Sequence, residues 1–287
     1  MLFTRLQPPH LQAEPLHLSS GTASVRGMNT RPGTGWRQDM KIVVIGGTGL
    51  IGKALCNKLQ EMGHEALAAS PSRGVNTLTG EGLQSALHGA EVVVDVSNSP
   101  SFEDVAVLAF FETSGRNLLK AEAAAGIQHH VALSVVGTER MLDSGYFRAK
   151  MAQEQLIKDS GIPYTLLRAT QFFEFIESIA QSGCEGSCIR LTTADLQPVA
   201  SSDVATALAK IAVQAAANQT LEVAGPDRWP LVEFARIWLH HNHDPRQVVA
   251  DDKAHYFGAQ IDDLSLTPGN QPIIGPTRFE TWLKSQA

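Results

Sequence analysis

The chain has 287 residues, 43% of them hydrophobic and 18% charged, and a formal charge of −6 at neutral pH. That length can bury one large core or two modest ones. The excess of acid argues against non-specific nucleic-acid binding, and no apolar run approaches the roughly 18 residues of a membrane-spanning helix. Three cysteines (Cys56, Cys184, Cys188) are too few for a disulfide framework and fit a reducing compartment, with the cytoplasm as the expected location.

Residues 1–39 stand apart. They hold Pro8-Pro9, Ser19-Ser20-Gly21 and Arg31-Pro32-Gly33-Thr34-Gly35, with four arginines, no lysine, and only Glu14 and Asp39 as acids. An arginine-bearing, acid-poor leader suits an organellar transit peptide. A disordered or non-native extension is the preferred reading, because Met40 stands directly before the first apolar run.

From Met40 strands and helices alternate. Lys41–Ile45 reads as a buried strand; it breaks into Gly46, Gly47, Gly49 and Gly52, and a helical pattern follows to about Met62. Strand, glycine turn and helix in this order form the first half of a dinucleotide-binding unit: the turn lets backbone approach a pyrophosphate, whose charge sits at a helix N-terminus. Glu65–Ala69 is strand two, Ser70–Gly74 a turn, Val75–Leu78 a short strand and Glu81–Leu87 a short helix. Glu91–Val96 is a nearly continuous apolar strand, as parallel strands buried on both faces require. A long helix over Phe102–Ala125 ends at Gly126, a strand runs over His130–Ser134, a helix from about Gly145 to Ser160, and a strand over Tyr164–Arg168. The fold class is α/β, a Rossmann-type doubly wound parallel sheet.

After Arg168 the pattern changes. A helix around Phe172–Gln181 leads to short strands on either side of Asp195, then to an amphipathic helix over Asp203–Ala217 capped by Ser202 or Asp203. Leu221–Ala224 returns to the sheet, Leu231–His240 is a helix, and a last helical turn lies near Phe279–Leu283. Residues 171–200 and 225–287 are expected to form a small C-terminal substrate lobe over the edge where open α/β sheets bind ligands.

The cofactor is read from an absence. An acid for the ribose 2′-hydroxyl is expected at the end of strand two, but no acid occurs between Glu65 and Glu81, and Ser70 and Arg73 stand there instead. A hydroxyl and a guanidinium suit a 2′-phosphate, so NADP(H) is expected in preference to NAD(H). Gly46, Thr48, Gly49, Leu50, Ile51 and Gly52 would hold the pyrophosphate, and Ser97 and Asn98 the nicotinamide side.

Tyr146 and Lys150 lie four residues apart on one helix face, and Ser134 ends the preceding strand. Together they suggest carbonyl chemistry. Tyr146 would exchange a proton with a substrate oxygen, Lys150 would lower the phenol's pKa and bind the ribose, and Ser134 would hold the carbonyl oxygen. Gln171, Phe172 and Phe173 follow a strand end and would line a small-molecule substrate; the rings fit a lobe core equally well. His240, His241 and His243 read as a helix end rather than a metal site, and the three residues between Cys184 and Cys188 speak against thioredoxin-like chemistry.

The glycine pattern Gly46–Gly52, Ser134-Val-Val-Gly137, Tyr146-Phe-Arg-Ala-Lys150 and Ile162-Pro-Tyr-Thr-Leu-Leu-Arg168 resemble the short-chain dehydrogenase/reductase superfamily. Gln197-Pro-Val-Ala200, Asp203-Val-Ala205 and Val223-Ala-Gly-Pro226 are similar to its atypical, NmrA-like branch. The resemblance spans about Met40 to His240 and implies the same roles for Ser134, Tyr146 and Lys150. Some members of that branch reduce quinones or other carbonyl compounds, and others bind the dinucleotide and regulate a partner. The expected function is therefore NADP(H)-dependent reduction of a small carbonyl or quinone, with a non-catalytic NADP(H)-binding regulator as the alternative. A nucleotide-sugar epimerase or dehydratase is less favoured, because its lobe is usually larger.

Overall fold

The computed structural model describes residues 39–286, so the extension expected over residues 1–39 lies, but for Asp39, outside the described residues. The apolar runs of the sequence become one seven-stranded sheet: β1 (Lys41–Ile45), β2 (Glu65–Ala69), β3 (Val92–Asp95), β4 (His129–Val135), β5 (Tyr164–Ala169), β6 (Gln219–Ala224) and β7 (Ile273–Ile274). All neighbours are parallel and their order is β2-β1-β3-β4-β5-β6-β7. The chain thus runs outward to β2, returns past β1, and then proceeds in one direction. That reversal opens a crevice between the loops after β1 and β3, where such sheets take ligands.

Helices cover both faces. On one, α1 (Leu50–Glu61) and α6 (Ser201–Ala212) bring Leu55, Leu59, Val204, Leu208 and Ile211 onto Ile42, Val44, Val94, Val131 and Leu167. On the other, α2 (Leu83–Leu87), α3 (Asp104–Ala125) and α4 (Gly145–Asp159) cover Val43, Ile45, Val93, Ala132 and Leu166 with Leu87, Leu118, Leu119 and Ile157. Burial on both sides explains why these strands are apolar throughout rather than alternating. α3 ends where the sequence predicts, with Gly126 in the left-handed conformation at φ 73°.

A second core gathers the C-terminal half. Here α5 (Ile176–Ser182), α7 (Leu231–His241) and α8 (Phe279–Lys284) surround Phe173, Phe234 and Phe279, whose rings stand 5.2 and 5.3 Å apart in successive pairs. Fully burying each ring contributes roughly 1.5–3 kcal/mol. A hairpin of Cys184–Glu185 with Cys188–Leu191, extended by Gln247–Ala250, flanks this core. In its register Cys184 faces Ile189 and Glu185 faces Cys188, which puts the two cysteines on opposite faces. All three cysteines are free. Among the described residues no helix is long and apolar enough to cross a membrane.

Two sequence expectations are corrected. Val75–Leu78 forms no strand: the N–H groups of Val75 and Asn76 donate to Ser70 and Glu81, and the Asn76 side chain accepts from Leu78 N at 2.9 Å, closing a local turn. The helix expected over Asp203–Ala217 is shorter and starts earlier, with Ala200 as its cap. The Asp203 carboxylate does not cap it; it accepts from Thr277 N at 2.9 Å and Thr277 Oγ1 at 3.0 Å and so ties down the chain before α8.

The same geometry sets a pH dependence. His129 Nε2 lies 2.9 Å from Thr165 Oγ1, which already accepts from Ala217 N, leaving its hydroxyl proton to donate to a neutral imidazole. Burial lowers the His129 pKa to about 4. Between about pH 6.5 and 4 the unfolded chain therefore takes up a proton that the folded chain refuses, and stability falls as the pH falls. Urea midpoints measured across that window should drop more steeply for the wild type than for His129→Gln; parallel curves would show that His129 is not the group responsible.

Candidate active site at the C-terminal edge of the sheet

The glycine turn is folded back on the end of β2, with Gly46 N donating to Ala69 O at 2.9 Å and Gly49 N to Gly46 O at 2.9 Å. Gly46 takes φ 78°, and a Cβ there would stand 2.9 Å from Ser97 N in the loop after β3. A Cβ on Gly52 would stand 2.6 Å from Gly47 Cα, so this glycine lets α1 sit against the turn. Gly49 differs, being exposed. It precedes α1 without a side-chain cap, and no acid occupies the first helical turn. The N–H groups of Leu50, Ile51 and Gly52 have no acceptor within the helix. Their partial positive charge lies beside the open glycine, which fits a pyrophosphate. Thr48 is half-buried within the turn, and the Ile51 side chain points into the core.

At the end of β2, Ser70 is buried and its hydroxyl lies 3.0 Å from that of Ser72, a residue the sequence reading passed over. Arg73 follows on an exposed turn. Arg116, Arg140, Arg148, Arg168, Arg190, Arg228, Arg236, Arg246 and Arg278 each reach a carboxylate. Arg73 alone of the described arginines has no carboxylate partner among the described residues.

Tyr146, in the first turn of α4, reaches back over the crevice. Its hydroxyl lies 3.4 Å from Asn98 Oδ1, a long contact, and its ring meets those of Phe102, Phe111 and Phe147 at 5.6, 6.3 and 5.9 Å. Lys150, only 3% exposed, donates to Leu133 O at 2.9 Å and Gln153 Oε1 at 2.5 Å and lies 4.5 Å from the centre of the Phe111 ring. Gln153 in turn donates to Asp95 Oδ2 at 3.0 Å, and Asp95 Oδ1 accepts from the N–H and hydroxyl of Ser97 at 2.9 and 2.6 Å. A buried polar chain thus joins the helix of Tyr146 to the loop behind the glycine turn. Asp95 and Gln153 were not anticipated. The one visible signal was an acid closing an otherwise apolar strand.

Two expectations about this centre are corrected. Ser134 faces α4, the helix of Tyr146, but donates to Glu154 Oε1 at 2.7 Å, about two turns beyond the tyrosine. Glu154 also accepts two 2.8 Å bonds from Arg168, which pairs further with Glu139. The Ser134 proton is therefore held by a carboxylate and does not meet Tyr146. Nor is the phenol made more acidic: burial raises its pKa to about 12. Burial lowers the Lys150 ammonium to about 8, against the pull of Asp95 and Glu154.

On the lobe side Gln171 is buried, its backbone carbonyl accepting from Val199 N at 2.8 Å while its Oε1 has no partner; Thr170 Oγ1 is also unpartnered. Phe172 stacks on the exposed Phe175 at 5.6 Å. Phe173 belongs instead to the lobe core, against Phe279 and Trp282, which removes it from the substrate set. His240 and His241 fall in the last turn of α7, and no cluster of three or more metal-ligating side chains occurs among the described residues.

A family model described as NAD(P)H-binding matches residues 46–215, from the glycine turn to the residues just after α6. The chain belongs to this NAD(P)H-binding family. It shares with the family the Rossmann sheet and the nicotinamide dinucleotide as cofactor, as the resemblance to the NmrA-like short-chain dehydrogenase/reductases implies. It is 29% identical over 203 residues to a (4-alkanoyl-5-oxo-2,5-dihydrofuran-3-yl)methyl phosphate reductase of Streptomyces griseus, covering 65% of this chain and 68% of that one. It is 26% identical over 149 residues to the photosystem II assembly factor Ycf39 of Cyanophora paradoxa, covering 47% and 46%. In fold it is similar to the dTDP-4-dehydrorhamnose reductase of Bacillus anthracis solved with NADP, with a TM-score of 0.68, 16% identity and 86% and 98% of the two chains covered.

Proposed function

We propose that this member of the family is an NADP(H)-dependent oxidoreductase that reduces a small carbonyl or quinone compound in the cytoplasm. The observation that carries the reading is the meeting of Tyr146 with Asn98, in the loop that packs against the glycine turn. A proton donor thereby stands over the crevice where the nicotinamide end of a dinucleotide would lie. When bound, NADP(H) supplies the hydride; the protein supplies the rest. The first-turn N–H groups of α1 hold the pyrophosphate. Arg73, with Ser70 and Ser72, takes the 2′-phosphate. Lys150 uses two of its three N–H donors within the protein, which leaves the third for the ribose. Burial raises the Tyr146 phenol, which stays protonated at neutral pH, so Tyr146 serves as the acid in reduction. Gln171 and Phe172 face the substrate side.

Purified protein with NADPH and a panel of aldehydes, ketones and quinones would consume the cofactor; measurable NADPH binding without turnover of any of them would sink the enzyme reading. A second reading, a dinucleotide-binding regulator that acts through a protein partner, draws on one feature. Phe102, Val105, Leu108 and Leu142 form exposed apolar surface around the N-terminal ends of α3 and α4. It would gain from that same negative result.

Arg73→Ala tests the cofactor preference separately. A hydrogen bond to a charged partner is worth about 1.5–3 kcal/mol, so NADPH should bind roughly 10- to 150-fold more weakly. NADH, which lacks the phosphate, should be nearly unaffected in the same fluorescence titration. Equal losses would remove Arg73 from the 2′-phosphate site.

A further inference from the structure

Lys150 is buried, yet the two acceptors it reaches inside the protein, Leu133 O at 2.9 Å and Gln153 Oε1 at 2.5 Å, are both neutral. Taking an ammonium out of water is costly unless an opposite charge answers it. The answering charge stands one side chain back. Asp95 closes β3 and lies beside Ala132 in the register, on the sheet face that α3 and α4 cover. It is 4% exposed, and its Oδ2 accepts from Gln153 Nε2 at 3.0 Å. The acids around it are matched otherwise. Glu122 of α3 faces His130 at 2.9 Å, Glu139 pairs with Arg168 and Arg140, and Glu154 of α4 pairs with Arg168 at 2.8 Å and Lys158 at 3.4 Å. Asp95, of these four, accepts only from neutral groups among the described residues: the Gln153 amide and the N–H and hydroxyl of Ser97.

The amide between Lys150 and Asp95 can stand only one way. An ammonium has donors and no acceptor, so it must meet the Gln153 oxygen; a carboxylate accepts, so it must meet the Gln153 NH2. Turning the amide over would set donor against donor at one end and acceptor against acceptor at the other. Lys150 and Asp95 therefore fix Gln153 jointly, and the negative end of the amide dipole is held against the ammonium. Burial lowers the Lys150 ammonium to about 8, and Asp95, ahead of Glu154, opposes the fall.

We propose that Asp95, acting through Gln153, is the positioning residue that keeps the Lys150 ammonium charged with one N–H left uncommitted. The assignment rests on the reductase reading above, in which that N–H meets the ribose. The same carboxylate holds Ser97, whose N lies 2.9 Å from where a Gly46 Cβ would stand, so the lysine and the glycine turn are tied to one anion. Asp95→Asn separates the two ties. The asparagine oxygen can still accept from Ser97, but its NH2 meets the NH2 of Gln153. Gln153 must then turn over and offer Lys150 a donor in place of an acceptor.

Protein carrying isotope-labelled lysine shows the Lys150 ammonium directly by NMR, its signal assigned through Lys150→Met. In the cofactor-free wild type it should titrate at about pH 8. Asp95→Asn should lower that midpoint by about one to two pH units, the scale of one lost hydrogen bond to a charged group. Gln153→Met, which deletes the amide from the middle, should move it the same way. In turnover of benzaldehyde with NADPH, kcat/KM for Asp95→Asn should be roughly 5- to 50-fold below wild type at about pH 8. The deficit should nearly close by about pH 5.5, where both proteins hold a charged lysine. A residue that only supports the fold would lower activity alike at both pH values. A Lys150 midpoint unmoved in either folded variant overturns the assignment, as does a deficit that does not depend on pH. A wild type without turnover defeats the reductase reading instead, and the lysine midpoints then decide on Asp95 alone.

Discussion

Tyr146→Phe should lower kcat/KM for carbonyl reduction by roughly 10²–10⁴-fold, the usual contribution of a positioned general acid. NADPH affinity and thermal stability should hardly change. The ring keeps its packing against Phe102, Phe111 and Phe147, and the lost hydroxyl had only the 3.4 Å contact to Asn98. Steady-state kinetics beside a fluorescence titration of NADPH would separate the two effects; an unchanged kcat in a folded, NADPH-binding variant would remove Tyr146 from the chemistry. The pH profile carries a second signature. With the phenol near 12 the acid stays loaded, so a fall in kcat/KM above about pH 8 reports the Lys150 ammonium losing its proton. That limb should persist, at a lower level, in Tyr146→Phe.

Gly52→Ala should cost most of the dinucleotide affinity. The added methyl would lie 2.6 Å from Gly47 Cα and would also drive into the Gly46 carbonyl, both backbone, so neither can yield as a side chain could. α1 must then back away from the turn. Overpacking of this kind costs about 1–3 kcal/mol, and displacement of the first-turn N–H groups should weaken NADPH by roughly two orders of magnitude. Gly115→Ala is the matched control, since its methyl would meet only the flexible end of Leu156, at 3.4 Å. Melting curves and NADPH titrations on both variants decide the matter. Equal behaviour would mean that the turn relaxes and that its packing on α1 is not what shapes the cradle.

The first half of the fold was legible because its signals are local. Apolar runs buried on two faces, glycines at a helix entrance and Gly126 at a helix exit each act within a few residues, and β1, α1, β2 and the end of α3 followed from them. Val75–Leu78 misled because its apolar spacing suits a strand, while the hydrogen bonds its backbone needed were already taken by Ser70 and Glu81. β7 has two residues, too few for any period to show. Around the candidate site, the placement of Tyr146 and Lys150 on one helix was readable from their spacing. The fate of Ser134 was not. It depends on which α4 side chain lies over the end of β4, and Glu154, which meets Arg168 there, accepts the serine's hydrogen bond as well.

The two hydrophobic cores divide the protein's possible histories. The dinucleotide cradle hangs from the core beneath α1 and α6, whereas Phe173 and Tyr256 pack on the core around Phe234 and Phe279. A substitution that reshapes the second need not disturb the first. Loops rooted in the second core can therefore drift, lengthen or be redesigned while the cofactor end stays constant.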